Sequence, residues 1–196
     1  NGFTASNDFV FAVIDVPGND HGVTVFRRNG DSYSFVGVIP MPHLITDTGL
    51  PTPQARGLAV HETGERVLLW VSIKFTIIPN RAISQPSAFA FDISDPDAVV
   101  NALSTGQGDT LIDTVVARPF PGNSMYLRIH EGIDVGVVPG SIIALAVSSW
   151  SGLEVYDVTD VSNGTATTLP IGDLAAMAPL ANVEVSWTGP DDLLGT

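Results

Sequence analysis

Short apolar runs, alternating or rich in β-branched residues and bounded by Gly, Pro, Asn or Asp, recur along the chain, whereas helical periodicity is nearly absent. This pattern predicts an all-β protein. The one hint of a helical turn is Leu174–Met177. The predicted strands are Phe9–Asp15, Val23–Arg28, Ser34–Ile39, Leu58–His61, Val67–Ile73, Ala88–Ile93, Thr110–Ala117, Tyr126–His130, Ile142–Ser148, Leu153–Val158, Ala166–Ile171 and Val183–Trp187.

Several of these strands repeat. Leu58–Gly64 reappears as Leu127–Gly132 and, more loosely, as Val183–Gly189, each a strand that runs into a glycine turn. The runs that follow the first two, Val67–Ser72 and Ile142–Ser148, are almost continuously apolar. Such runs are typical of strands that are buried on both faces.

Two further elements complete a unit of four strands. Ala88–Pro96 matches Leu153–Asp160. Both segments contain, in order, an aromatic residue, Asp, a β-branched residue, Ser or Thr, and Asp. This order predicts a strand that ends in an Asx turn. Asp109–Val116 matches Thr165–Ile171. Repeated units of four antiparallel strands indicate the blades of a β-propeller.

The units resemble the β-propeller repeats of the lactonase-like and LVIVD-type families. Phe91-Asp92-Ile93-Ser94-Asp95-Pro96 carries the closest match, whereas Tyr156–Asp160 is followed by Val161 where the proline would stand. The resemblance implies one β-propeller domain over residues 1–196, or part of one. Its blade units are residues 9–40, 56–117 and 125–172, followed by a closing strand at 182–187.

The two ends of the chain complement each other in this scheme. The first predicted strand, Phe9–Asp15, is the second strand of a blade, and Val183–Trp187 is the first strand of another. Three blades do not close a ring. Two chains could close a six-bladed ring by exchanging terminal strands, the chain could be part of a longer propeller, or it could add head to tail into filaments. A β-sandwich with no true repeat is the remaining alternative.

Composition and charge exclude several classes of function. Apolar residues make up 44% of the 196 residues and charged residues 15%, enough for a stable core. The net charge of −13 argues against binding to nucleic acids, and no apolar stretch is long enough to predict a membrane insertion. The absence of cysteine excludes disulfides and thiolate chemistry.

An extracellular location is predicted. The chain begins at Asn1 rather than Met, which is expected of a mature product without its leader. Asn163-Gly164-Thr165 is its one N-glycosylation sequon. The acidic balance and the 14 prolines fit the same location.

The resemblance to propeller enzymes implies that a ligand binds at the central channel, and the candidate ligand-binding residues lie in or beside the predicted loops that would line it. In so acidic a protein, cationic residues concentrated there could bind a small anionic ligand through charge-assisted hydrogen bonds. His43 and His21 are the candidate proton carriers if the protein is an enzyme. Trp150, between two serines, could stack against a sugar. The other candidates are Arg56, Lys74, Arg81, Arg118 and Asn123.

The remaining polar motifs are interpreted as structural. We expect His61-Glu62 and His130-Glu131 to form hydrogen bonds in turns, since both precede a glycine turn. The Asp95/Asp97 and Asp157/Asp160 clusters could hold calcium, but Asx turns explain them more simply. No cofactor and no metal site are predicted.

Three functions stay open. The first is an extracellular β-propeller that acts as a binding or assembly module, as a homo-oligomer or with a second chain. The second is a lactonase-like hydrolase or a cycloisomerase that acts on a small anionic substrate, with Arg56 and Arg118 holding a carboxylate and His43 or His21 moving the proton. The third is a structural protein that assembles by strand exchange.

Overall fold

The computed structural model describes residues 2–13, 22–41, 54–64, 66–76, 85–118, 127–138, 142–149 and 152–163, and this part of the chain is mostly β. The strands are β1 (Phe3–Ala5), β2 (Phe9–Val13), β3 (Gly22–Asn29), β4 (Ser32–Pro40), β5 (Gln54–Thr63), β6 (Arg66–Thr76), β7 (Gln85–Asp92), β8 (Ile112–Arg118), β9 (Leu127–Val138), β10 (Ile142–Ser149) and β11 (Gly152–Asp157). The helices are α1 (Pro96–Ser104), a 3₁₀ turn (Gly108–Leu111) and α2 (Thr159–Ser162).

The strands form three antiparallel sheets in chain order. The first sheet contains β1, β2, β3 and β4; the second contains β5, β6, β7 and β8; the third contains β9, β10 and β11, and the second and third are continuous as one seven-stranded sheet. The second and third sheets are also joined by three residue pairs between β6 and β9, from Lys74↔Ile129 to Thr76↔Leu127. Each sheet pairs strands that are consecutive in the chain, as the repeat pattern predicts.

The second sheet is buried on both faces. In β6, Leu69, Val71 and Ile73 pack in the core shared with the first sheet, whereas Leu68 and Trp70 pack in the core shared with the third. Strand β7 alternates in the same way, with Phe89 and Phe91 on one side and Ala88 and Ala90 on the other. The predicted burial of Val67–Ser72 on both faces is therefore confirmed along Leu68–Ser72. A two-layer sandwich has one core between its sheets, so it does not describe this stack.

The prediction that the chain opens on the second strand of a blade is wrong. Strand β1 precedes β2 and pairs with it from Phe3↔Ala12 to Ala5↔Val10, which completes a four-stranded first sheet. The position that a terminal strand from another chain was expected to fill is therefore occupied. A three-residue strand gives almost no signal in the sequence, because its pairing with β2 decides its conformation.

Helix α1 was not predicted. The Asp95 carboxylate caps it by accepting hydrogen bonds from the backbone N–H groups of Asp97 and Ala98, and Pro96 stands at its start. Val99, Ala102 and Leu103 then pack into the first core at helical spacing. The capping residue, the proline and the helical spacing are all present in the sequence, but they directly follow a pattern typical of a strand, which is why the helix was missed.

The predicted strands in the described residues overlap observed strands, but most of their ends differ; β5, for example, begins at Gln54 rather than Leu58, and β6 ends at Thr76 rather than Ile73. The predicted strand Thr110–Ala117 begins only at Ile112, because Gly108–Leu111 is a 3₁₀ turn. The predicted Tyr126–His130 strand is longer and reaches Val138. The predicted elements Ala166–Ile171, Leu174–Met177 and Val183–Trp187 lie outside the described residues.

Candidate functional site

A β-bulge in β5 places Arg56 near one end of the second sheet. Ala55 pairs with Ile73 and Leu58 with Val71, so that Arg56 and Gly57 lie together opposite the single residue Ser72. The buried Ser72 hydroxyl accepts a hydrogen bond of 2.8 Å from the Gly57 N–H. Bulges re-aim side chains and are frequent beside active sites.

The Arg56 guanidinium is held from its own strand. Its Nη2 donates to Gln54 Oε1 at 3.2 Å, and the side chain is half-buried. Gln54 is the first residue of β5 and pairs with Lys74, close to the end of β6. The bulge therefore places Arg56 beside the end of β6, the strand that contains Lys74.

Lys74 and Arg118 share this end of the sheet. Lys74 pairs with Gln54 on one side and with Ile129 on the other. Arg118 is the last residue of β8 and pairs with Gln85, the first residue of β7. The placement of both residues in loops was wrong, because the cross-strand partners extend the strands beyond the apolar runs. Arg56, Lys74 and Arg118 therefore lie at the same end of the second sheet.

The other predicted ligand-binding and catalytic residues lie outside the described residues. These residues are His21, His43, Arg81, Asn123 and Trp150. Asn163, the predicted glycosylation site, is described. It follows α2, its side chain is exposed, and its backbone N–H donates to Thr159 O.

The opposite end of the second sheet carries an ion cluster that the sequence analysis missed. Arg66 Nη2 donates to Asp92 Oδ2 at 2.7 Å and to Asp113 Oδ1 at 2.6 Å. Partial burial alone would lower the pKa of Arg66, but the hydrogen bonds with both carboxylates outweigh it and raise that pKa. Burial alone would raise the pKa of Asp92, but hydrogen bonds from Arg66 and Ser94 hold it below its usual value.

This cluster also connects the second sheet to α2. Arg66 Nη1 donates to Val161 O at 2.7 Å, and the Thr63 hydroxyl donates to Ser162 O at 2.6 Å. Both donors flank the Gly64 turn between β5 and β6, where Gly64 has a φ of 49°. Since Arg66 uses both its terminal nitrogens within the fold, we interpret the cluster as structural rather than catalytic.

The Asp-x-Ser/Thr segments form the predicted Asx turns, and the two turns have the same hydrogen bonds. Asp92 Oδ1 accepts from the N–H and hydroxyl of Ser94 at 3.0 and 2.6 Å, and the Ser94 hydroxyl accepts from Val67 N–H at 2.9 Å. Asp157 Oδ1 accepts from the N–H and hydroxyl of Thr159 at 3.0 and 2.6 Å, and Thr159 accepts from Ile143 N–H at 2.9 Å. Each turn ties the end of one strand to the start of the preceding strand.

Asp95 and Asp97 also have structural partners. Asp95 caps α1, and Asp97 Oδ1 lies 3.2 Å from Arg27 Nη2 in a surface ion pair. Among the described residues, no group of three or more His, Asp or Glu side chains is arranged to hold a metal ion.

His61 does not form the expected turn hydrogen bond. His61 and Glu62 belong to β5, and the turn follows at Gly64. His61 Nε2 is buried and has no hydrogen-bond partner among the described residues. Burial lowers the pKa of this imidazole.

The sequence analysis also missed Ser72 and Gln54, which build the surroundings of Arg56. Ser72 could have been recognised as the one polar residue within the apolar run Val67–Ile73. Its role depends on the bulge in the neighbouring strand, which a sequence pattern does not reveal.

Comparison with known proteins gives no family. No protein-family model matches the chain, and no curated protein is significantly similar to it. Within the part of the chain that the structure describes, no helix has the length and apolar character to cross a membrane.

Proposed function

We propose that the chain is an extracellular binding and assembly module built from β-propeller blades, with a small anionic ligand bound at the cationic end of its second sheet. The observation that carries the ligand is the bulge that places Arg56 at the sheet end shared by Lys74 and Arg118. The assembly role covers a homo-oligomer or a second chain that completes the propeller.

The stacking of the sheets supports the propeller. Each sheet joins consecutive strands, and the second sheet packs one face on the first sheet and the other face on the third. The first strands of the sheets also lie side by side, with β1 against β5 and β5 against β9. Blades arranged around an axis have these three properties.

The electrostatics support an anionic ligand. The net charge is −13, and the cluster at the other end of the sheet pairs Arg66 with two carboxylates. At the Arg56 end, Arg56 Nη2 donates to the neutral amide oxygen of Gln54 at 3.2 Å. Three cationic residues at one end of a sheet favour an anion there, because arginine forms charge-assisted hydrogen bonds with carboxylates and phosphates.

Calorimetric titration with glucuronate, citrate and inorganic phosphate tests this proposal, with glucose as a neutral probe. We expect one of the anions to bind, glucose not to bind, and Arg56→Ala to weaken binding at least tenfold. Arg27→Ala removes a cation that is paired with Asp97 on the surface, and it should leave binding unchanged. Equal binding by wild type and Arg56→Ala would overturn the ligand site.

The enzyme hypothesis is separated by a turnover assay on a panel of lactones. Hydrolysis that Arg56→Ala and His43→Ala each abolish would favour the lactonase-like enzyme over the binding module. Binding of an anion without turnover would favour the module.

The glycosylation proposed at Asn163 has its own test. Its side chain is exposed at the end of α2, so an oligosaccharide there would not displace the core. Expression through a eukaryotic secretory pathway should add a glycan mass that Asn163→Gln removes. Secretion of a chain with no added mass would contradict the site.

A further inference from the structure

The first sheet has one buried face and an opposite apolar face that is exposed in part. Phe9, Phe11 and Val25 lie on the buried face, in the core shared with the second sheet. The cross-strand pairs place a different set of residues on the opposite face, which we call the outer face. Its members are Phe3, Ala5, Val10, Ala12, Gly22, Thr24, Phe26, Arg28, Tyr33, Phe35, Val38 and Pro40.

Large apolar side chains are concentrated on this outer face. In the described part of the chain, five large hydrophobic side chains are exposed, and four of them, Phe3, Tyr33, Phe35 and Val38, belong to the outer face. Phe3 is 77% exposed and Phe35 is 64% exposed. Phe35 also packs edge to face on Phe26 with ring centroids 6.0 Å apart, which holds its ring on the sheet.

The charge of the outer face differs from that of the rest of the chain. The sequence has 21 acidic residues and 8 lysines and arginines, yet the strand positions on this face include no acidic residue and a single charged one, Arg28. Two copies of the chain repel each other at most orientations because both are strongly negative. They can approach with least repulsion through this face.

We propose that the outer face of the first sheet is a self-association surface and that its occupant is the same face of a second copy of the chain. This inference names the partner for the assembly role proposed above and rests on that role, but it does not depend on the anion site. A two-fold arrangement needs only one self-complementary surface. Sheet-on-sheet packing through apolar faces is also how the first and second sheets associate within the chain.

The size of the face fits a weak dimer. The exposed parts of Phe3, Tyr33 and Phe35 together offer roughly 400 Å², since one aromatic side chain covers about 150–250 Å². A weak or transient interface buries about 1,000 Å² in total, or about 500 Å² on each partner. We therefore expect dimers that form reversibly with concentration.

Sedimentation velocity of the full chain over a hundredfold range of concentration tests this inference. The mass should rise from the 20.6 kDa of one chain toward twice that value. Phe35→Ser should raise the dissociation constant at least tenfold. Val137→Ser is the matched control, because Val137 is 67% exposed and belongs to the third sheet, and it should leave the constant unchanged.

Crosslinking tests the two-fold geometry, because the chain has no cysteine of its own. In a Phe35→Cys variant, a disulfide can form only between Cys side chains of two copies. Mild oxidation should give a covalent dimer, whereas Asn101→Cys, on an exposed position of α1, should not. Thermal unfolding of each variant confirms that it is folded.

Each outcome of these experiments tests a different part of the inference. A chain that stays at 20.6 kDa at every concentration, or dimers that Phe35→Ser and Val137→Ser weaken equally, would overturn the inference. A Phe35→Cys variant that still dimerises in sedimentation but gives no crosslink would overturn a two-fold arrangement with Phe35 at its axis. Loss of anion binding in Arg56→Ala leaves this result untouched, so the two proposals fail independently.

Discussion

Arg66 is the first residue of β6 and Asp92 is the last residue of β7, and Arg66 Nη2 lies 2.7 Å from Asp92 Oδ2. The antiparallel pairing of β6 with β7 brings the start of one strand to the end of the other. The same guanidinium reaches Val161 O beside the third sheet. One side chain thus ties the second sheet to the segment that follows the third.

Removal of this side chain should destabilise the fold. Arg66→Ala leaves the Asp113 carboxylate and the Val161 carbonyl without their donor, so we expect the free energy of unfolding to fall by about 2 kcal/mol. Urea unfolding measures the change. The control is Arg27→Ala, whose surface pair with Asp97 should contribute less than about 0.5 kcal/mol. Equal losses in both variants would contradict the structural role of the cluster.

The partly buried imidazole of His61 predicts a pH dependence of stability. Burial lowers its pKa below the ordinary 6.5, so the unfolded chain takes up a proton that the folded chain resists. The free energy of unfolding should therefore fall as the pH decreases from 7.5 to 5.5. In urea unfolding across this pH range, the free energy of unfolding should change less with pH in His61→Gln than in wild type. The same pH dependence in both proteins would show that the pKa of His61 does not differ between the folded and unfolded states.

The carboxylate of Asp92 predicts a second transition at lower pH. Its folded pKa lies below the ordinary 3.8, so its contribution is present above about pH 4 and is lost as the pH falls through the folded pKa. Acid unfolding followed by circular dichroism should begin at higher pH in Asp92→Asn than in wild type. An onset at the same pH would mean that other carboxylates control acid unfolding.

The two Asx turns should contribute equally to stability. Ser94→Ala and Thr159→Val each remove a hydroxyl that donates to a carboxylate and accepts from a backbone N–H of the preceding strand. We expect each variant to lose about 1–2 kcal/mol of unfolding free energy. Ser104→Ala, in which the lost hydroxyl bonds a carbonyl at the exposed end of α1, should lose much less. A cost for only one of the two turns would argue against equivalent units.

The small side chains of β7 should be intolerant of enlargement. Ala90 is fully buried and lies directly opposite Trp70, in the core shared with the third sheet. Ala90→Leu adds three carbon atoms to a packed core and should cost about 1–3 kcal/mol in thermal or urea unfolding. Ala98→Leu, on an exposed position of α1, is the matched control and should change stability by less than about 0.5 kcal/mol.

Much of the secondary structure was predictable because it depends on local pattern. The continuous run Val67–Ile73 and the alternation of Phe9–Val13 indicate strands wherever they are placed in the fold. The Asx turn at Asp92 is equally local, since the acceptor and its donors are two residues apart. The pattern does not fix strand ends, so Lys74 and Arg118 were predicted as loop residues although cross-strand pairing extends β6 and β8 through them.

Composition and hydrophobic pattern are enough to establish that the chain is mostly β, where its central strands lie, and that it is strongly acidic. Strand pairing and packing are needed to place Arg56 in a bulge opposite Ser72, to bring Arg66 to Asp92 and Asp113, and to gather four of the five exposed large apolar side chains of the described residues on the outer face of the first sheet. Strand propensity and turn chemistry act over a few neighbouring residues, whereas register, bulges and the pairing of distant side chains depend on which strands pack together.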